Sequence, residues 1–210
     1  LQKIIRPTIG ILTNISGAHQ ENFTTMQEKC SDKLSLFKDC DVVIYDADNE
    51  FIANCVQKSM LPAREIAWSK RDAERPLYIR RIEKFDEYTH ITYTYLGMEN
   101  SYKLPYIDDA SIENSLHCLA ACLYLMLPSE VITERMAHLE PVAMRLEVKE
   151  GKRGCLLIND SYNSDLASLD IALDFLYRRS LSKGLKRTLI LSDILQTGKN
   201  IPTLYRQVAQ

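Results

Sequence analysis

An α/β protein with a mostly parallel sheet and flanking helices is what this sequence predicts, on three observations. Short apolar, β-branched runs alternate with amphipathic stretches of helical length, the rhythm of a parallel sheet covered by helices. The composition is globular, with 46% hydrophobic and 26% charged residues over a length of 210. The longest apolar stretch, Cys118 to Pro128, falls well short of the ~20 residues of a membrane-spanning helix.

The elements follow in order. Thr8 to Thr13 reads as a buried strand, and Thr25 to Phe37 has helical spacing through Met26, Cys30, Leu34 and Phe37. Asp41 to Tyr45 reads as a second buried strand, followed by a short helix from Asn49 to Lys58 and a third strand at Ile66 to Trp68. From Pro76 the pattern changes: Leu77 to Ile79 and Thr89 to Tyr95 alternate like antiparallel strands with one wet face. Ile112 to Met126 is a helix, and Ser129 is placed as N-cap of another over Glu130 to Leu139. After Pro141 the α/β rhythm restarts. It has a strand over Gly154 to Ile158, a helix over Leu166 to Arg178 capped by Ser164 or Asp165, a strand over Arg187 to Leu191 and a helix from Leu204. The charged run Glu147 to Arg153 reads as a linker, with a domain boundary at 145 to 152. The second unit, of about 60 residues, is small enough to be marginal by itself. The chain begins at Leu1 without an initiator Met, and it is expected to be a piece of something longer.

Composition excludes several function classes. With 26 Lys+Arg against 28 Asp+Glu, the chain lacks the basic surplus of an electrostatic nucleic-acid binder. Its 7 glycines form neither Gly-x-Gly-x-x-Gly nor Gly-x-x-x-x-Gly-Lys, so both glycine-rich phosphate loops are absent. The six cysteines form no Cys-x-x-Cys and the four histidines do not cluster with them, which argues against zinc ribbons and dithiol redox motifs. Buried free thiols in a reducing cytoplasm are expected instead. No leader sequence or membrane segment is read.

Ligands of open parallel sheets bind at the carboxyl ends of the strands. Three segments carry polar residues there: Thr13 to His19, Asn159 to Ser164, and Ser192-Asp193. From the residues alone, His19 reads as a loop histidine with no task. The Asn159 to Ser164 segment reads equally as a capping turn. Lys33 on its helix reads as a solvated lysine.

Taken in order, these segments resemble the Mur ligases, ATP-dependent amide-forming enzymes of peptidoglycan synthesis. Arg6-Pro-Thr-Ile-Gly-Ile-Leu-Thr-Asn-Ile-Ser-Gly-Ala-His19 is similar to the central-domain stretch P-x-I-G-V-x-T-N-I-x-x-A-H. Lys33, fourteen residues after His19, falls where the family carries a carbamoylated lysine. Arg145-Leu146-Glu147 resembles the junction before the C-terminal domain. Ile158-Asn-Asp-Ser-Tyr-Asn163 and Leu191 to Gly198 resemble segments of the member that adds D-alanyl-D-alanine, including the form fused to alanine racemase in some bacteria. The resemblance implies that residues 1–147 belong to the central ATP-binding domain, without its phosphate loop. Residues 148–210 would begin a Rossmann-like C-terminal domain.

The implied reaction phosphorylates the terminal carboxylate of UDP-N-acetylmuramoyl-tripeptide with ATP, and the acyl phosphate is attacked by the amine of D-alanyl-D-alanine. The resemblance makes His19 and the carbamate of Lys33 ligands of Mg²⁺; carbamoylation replaces a repelling ammonium by an anionic oxygen donor, which suits a hard cation. It implies that Arg145 reaches nucleotide phosphates or ribose. Asp160 would accept from ribose hydroxyls, Asn114 would face adenine, and Tyr162 and Asn163 would contact the nucleotide. Departures are visible. The family's H-N-x-x-N-x-L-A-A reads Glu113-Asn114-Ser-Leu-His117-Cys-Leu-Ala-Ala121, so an adenine-contacting Asn is His117. Two other readings remain at this point: a non-catalytic nucleotide-binding or interaction module of the same fold, and a folylpolyglutamate-type ligase. The 210 residues alone are expected to be inactive.

Overall fold

A computed structural model describes residues 2–15, 23–140, 146–162, 166–194 and 200–209. The chain divides into two compact units, Leu1–Ile15 with Gln27–Leu139, and Ser16–Met26 with Glu140–Gln210.

The first unit is built on a six-stranded sheet. After a short helix α1 (Gln2–Ile5) come β1 (Ile9–Leu12), α2 (Met26–Ser35), β2 (Val42–Asp46), α3 (Glu50–Ser59), β3 (Arg64–Ser69), β4 (Leu77–Lys84), β5 (Thr89–Tyr95), β6 (Met98–Leu104), α4 (Asp109–Tyr124) and α5 (Ser129–Ala137). The strand order is β1-β2-β3-β4-β5-β6. The pairs β1–β2, β2–β3 and β3–β4 are parallel. The pairs β4–β5 and β5–β6 are antiparallel. The predicted mixed, mostly parallel sheet is therefore present.

Each strand sends alternate side chains to opposite faces. Val42, Ile44, Ile66 and Trp68 pack with Leu77, Tyr93 and Tyr102 against Leu116, Leu119 and Ala120 of α4 and Ile132 of α5. Leu12, Val43, Tyr45 and Ala67 pack on the other side with Cys30 and Leu34 of α2 and Ile52 and Val56 of α3. This two-sided burial makes β2 a continuous apolar run, since all five of its residues are buried. Each fully buried Leu, Ile or Val contributes about 1.5–3 kcal/mol, and these two layers hold the unit together.

Caps and turns fix the ends. Asn49 caps α3, its Oδ1 accepting from Ile52 N–H at 3.2 Å. The β5–β6 hairpin turns through Leu96 and Gly97, both at positive φ (49° and 82°), as a two-residue primed turn requires. β6 escapes the sequence reading because its outward positions are polar (Glu99, Ser101, Lys103), as an edge strand allows. Ser129 is the first residue of α5 rather than its cap. Pro128 occupies the cap position without a side-chain hydrogen bond, and its missing N–H forfeits nothing there.

The second unit holds β7 (Glu147–Glu150), β8 (Leu156–Asn159), α6 (Leu166–Lys183) and α7 (Ile201–Val208). Its small core is Leu169, Ile194 and Leu204, with Leu166, Leu173 and Val208 against them. Two expectations are corrected. The charged run read as a linker forms β7, paired antiparallel with β8; charges do not bar a two-stranded ribbon whose outer positions are wet. The run Arg187 to Leu191 is not a strand among the described residues. An apolar run becomes a strand only where a ladder partner lies alongside, and Leu189 and Ile190 are exposed. The cysteines are all free. Only Cys30 and Cys40 are buried, whereas Cys118 and Cys155 are exposed, which narrows the expectation of buried thiols. No described helix is long and apolar enough to cross a membrane.

Candidate active site at the carboxyl ends of the parallel strands

The apolar run of β2 ends in Asp46-Ala47-Asp48, and β3 ends in Ser69-Lys70. Asp46 is buried, and its Oδ1 accepts from Asp48 N–H at 2.9 Å, an Asx turn that bends the chain off the sheet. Asp48 then reaches β3: its carboxylate accepts from the Ser69 hydroxyl and, at 2.7 Å, from the Lys70 N–H. Ser69 Oγ in turn accepts from the N–H groups of Arg71 at 3.0 Å and Asp72 at 2.8 Å. The two strand ends are thereby sewn into one rigid edge.

Helix α4 passes over this edge. Asp108 caps it, accepting from Ser111 N–H at 2.7 Å. Glu113 and His117, one turn apart, lie on one helix face. Burial raises the Glu113 carboxyl above the ordinary range, the Asp46 carboxylate raises it further, and Lys70 opposes them. Asp46 is likewise raised, chiefly by burial; the Asp48 N–H opposes this, the Asp48 carboxylate adds to it, and Lys70 and Arg71 oppose it. Two carboxyls and one ammonium therefore act on one another at the strand ends. The Lys70 ammonium also lies 5.6 Å from the centre of the Trp68 ring, a cation–π distance.

His117 is 1% exposed, and its Nδ1 accepts from Trp68 Nε1–H at 3.2 Å. The rings meet edge to face, 5.3 Å between centres and 74° between planes. Burial lowers the imidazole to about 4, against an upward pull from the backbone of Thr13. The ring is neutral at physiological pH.

The structure places the predicted residues unevenly. His117 stands in the core rather than on an open surface, while Asn114, on the same helix, is exposed. Lys33 is exposed in the last turn of α2, on the opposite side of the sheet from α4. His19, Arg145 and Asn163 lie outside the described residues. In the second unit, Asp160 follows β8 and its Oδ1 accepts from Leu146 N–H at 3.1 Å. Leu146 has a left-handed backbone (φ 46°), so Asp160 pins a strained residue directly after Arg145. Tyr162 is exposed. Asp46, Asp48, Ser69 and Lys70 were missed in the sequence, although the rule that singled out His19 and Asp160, polar residues directly after a buried strand, also applies to them. Among the described residues no group of three His, Cys, Asp or Glu side chains is arranged to hold a metal ion. They do not by themselves form the Mg²⁺ site that the resemblance implies.

Comparison with known proteins gives this geometry a family. The Mur ligase middle domain matches residues 1–122. The UDP-N-acetylmuramoyl-tripeptide--D-alanyl-D-alanine ligase of Bacillus subtilis (strain 168) is 24% identical over 213 residues, covering 99% of this chain and 44% of that protein. The enzyme of the same name from Borreliella burgdorferi is 25% identical over 169 residues, covering 80% of this chain and 36% of its own length. The crystal structure of MurF from Acinetobacter baumannii superposes with a TM-score of 0.73 at 19% identity, over 84% of this chain and 39% of that one. MurF ligase from Thermotoga maritima, in complex with ADP, gives 0.68 at 18% identity, over 84% of this chain and 41% of that one. At such identities the solved structures establish the fold, and the chain spans less than half the length of these relatives. With more than half of its residues matched by the middle-domain family, this chain belongs to the Mur ligases.

Proposed function

We propose that the chain is the nucleotide-handling part of an ATP-dependent ligase that joins D-alanyl-D-alanine to UDP-N-acetylmuramoyl-tripeptide. The observation that carries this reading is the alignment of nearly the whole chain with a relative of that name. The wet edge formed by Asp46, Lys70 and Glu113, at the place where parallel sheets bind ligands, supports it. In this reading residues 1–147 are central domain and 148–210 begin the C-terminal domain.

The chemistry asks the protein for positioning and for charge neutralisation around transferring phosphoryl groups. Lys70 supplies a cation at the strand ends, held by the hydrogen bond from its own N–H to Asp48. Asn114, exposed on α4, faces adenine; His117 is committed to Trp68 and supports the helix from below. Asp160 accepts from ribose hydroxyls. Its Oδ1 also accepts from the N–H of Leu146, the residue after Arg145, and Arg145 reaches the nucleotide's phosphates or ribose. Tyr162 and Asn163 complete the nucleotide contacts. Lys33 is open to carbon dioxide, and loss of a proton on carbamoylation leaves an anionic oxygen donor. With His19 it would hold Mg²⁺, which neutralises phosphate charge when bound. ATP and a UDP-linked precursor are cytoplasmic metabolites, so the protein acts in the cytoplasm.

The test is an assay of the complete ligase containing these residues. ADP release that requires both UDP-N-acetylmuramoyl-tripeptide and D-alanyl-D-alanine is expected. ATP binding with no release of ADP would instead establish the non-catalytic nucleotide-binding module, a reading that the burial of His117 favours.

A further inference from the structure

One side chain spans the carboxyl edge of the parallel sheet. β2 lies between β1 and β3. Leu12 pairs in register with Tyr45, and Asp46 with Trp68; Thr13 is the residue directly after β1, one position on from the Leu12–Tyr45 pair. Trp68 points to the face covered by α4, from which His117 descends. On the β3 side, His117 Nδ1 accepts from the Trp68 indole at 3.2 Å. On the β1 side, the backbone of Thr13 acts on the same ring. The second ring nitrogen, Nε2, is buried and has no hydrogen-bond partner among the described residues.

The protonation state follows from the partner. An indole N–H only donates, so Nδ1 carries the lone pair and Nε2 carries the proton. A buried N–H without an acceptor is costly. A histidine kept only to fill space has no need of one. The Thr13 main chain, directly after β1, acts on the ring with the sign of a carbonyl acceptor.

We propose that His117 is a positioning residue: Trp68 fixes its Nε2–H tautomer, and that N–H closes onto the Thr13 carbonyl to hold the chain leaving β1. The consequence is a mechanical link between α4 and the chain just after β1. Asn114 rides on α4 one turn before His117, and Thr13 leads through Asn14 toward His19. A ligand seated on the exposed face of α4 therefore acts on Thr13 and Asn14 through the imidazole. Only the identity of that ligand rests on the ligase reading; the link itself does not.

The experiment uses the 210-residue chain, labelled with ¹³C and ¹⁵N, and two substitutions. In the wild type at pH 7, long-range imidazole spectra are expected to show His117 as the Nε2–H tautomer. The Nδ1–H tautomer or an imidazolium would overturn the proposal. His117→Asn keeps an acceptor near the Nδ1 position but does not reach Thr13, whereas His117→Gln places an N–H near Nε2. Amide exchange at Asn14 is expected to rise about tenfold or more in His117→Asn and to return most of the way in His117→Gln, with the Trp68 indole still protected in the Asn variant. Equal exchange at Asn14 in all three proteins would overturn it, as would equal loss in both variants, which marks a space-filling role. If both variants fail to fold, a coupling across the hydrogen bond from His117 Nε2–H to the Thr13 carbonyl carbon in the wild type decides: its presence supports the proposal and its absence overturns it. A ligase assay without turnover leaves these spectra unchanged, so the two readings fail separately.

Discussion

Asp48 Oδ2 accepts the Lys70 N–H at 2.7 Å, and this bond extends the tie between two parallel strands beyond their last backbone bond, from Ala47 N–H to the Trp68 carbonyl at 2.9 Å. The same carboxylate takes the Ser69 hydroxyl. A charged acceptor with two donors is the strongest local tie at the candidate site. Asp48→Ala is expected to lower stability by about 1–3 kcal/mol, and Asp48→Asn by less, since the amide oxygen still accepts. Urea denaturation checks the order; equal stability of all three proteins would contradict this account.

Glu113 and Asp46 both hold their protons more tightly in the folded state than ordinary carboxyls do. The folded chain therefore binds more protons than the unfolded one. The stabilisation from protonation is present at low pH and is lost as pH rises through the folded values. Glu113→Gln removes one of the two interacting carboxylates. It is expected to stabilise the chain at pH 7 by about 0.5 kcal/mol, a surface-charge magnitude for a half-exposed group. The difference should vanish below pH ~4, where Glu113 is protonated.

His117 works in the opposite direction. Its folded pKa of about 4 lies below the ordinary value of 6.5, so the unfolded chain binds the extra proton. Stability is complete above pH 6.5 and falls as pH drops toward 4, by at most ~3 kcal/mol. His117→Gln should flatten the stability profile between pH 6.5 and 4, leaving the carboxyl contribution of opposite sign. The sole tryptophan of the chain touches this ring, so its fluorescence reports the same titration.

Gly10, in β1, lies against Phe37: a Cβ there would come within 2.6 Å of the ring. Gly10→Ala is expected to cost about 1–3 kcal/mol by overpacking. Thermal unfolding measures it. A further substitution, Phe37→Leu, should recover part of the loss if the ring is the obstacle.

The 210 residues contain no glycine-rich phosphate loop, and phosphoryl transfer depends on cradling the triphosphate. The purified chain is expected to release no ADP in the presence of ATP, the tripeptide nucleotide and D-alanyl-D-alanine. Measurable amide formation would show that the chain handles phosphate by some other means.

By itself, the sequence determined the elements whose signal is local. β2 is legible because all five of its residues are apolar or directly follow an apolar run. α3 is legible from Asn49 and its helical spacing, and β5 from alternation over Thr89–Tyr95. The order of the motifs around Thr13, Lys33 and Asn159 to Asn163 was enough to suggest the family. The tertiary structure alone decided what requires a partner distant in the chain. Glu147–Glu150 is a strand because Leu156–Asn159 offers it a ladder, and Arg187 to Leu191 is none because no described strand does. Trp68 and His117, 49 residues apart, meet because parallel register puts Asp46 beside Trp68 and α4 packs across that row. Periodicity shows which face a side chain takes. Which residue waits there depends on register and packing, and these are settled between segments rather than within them.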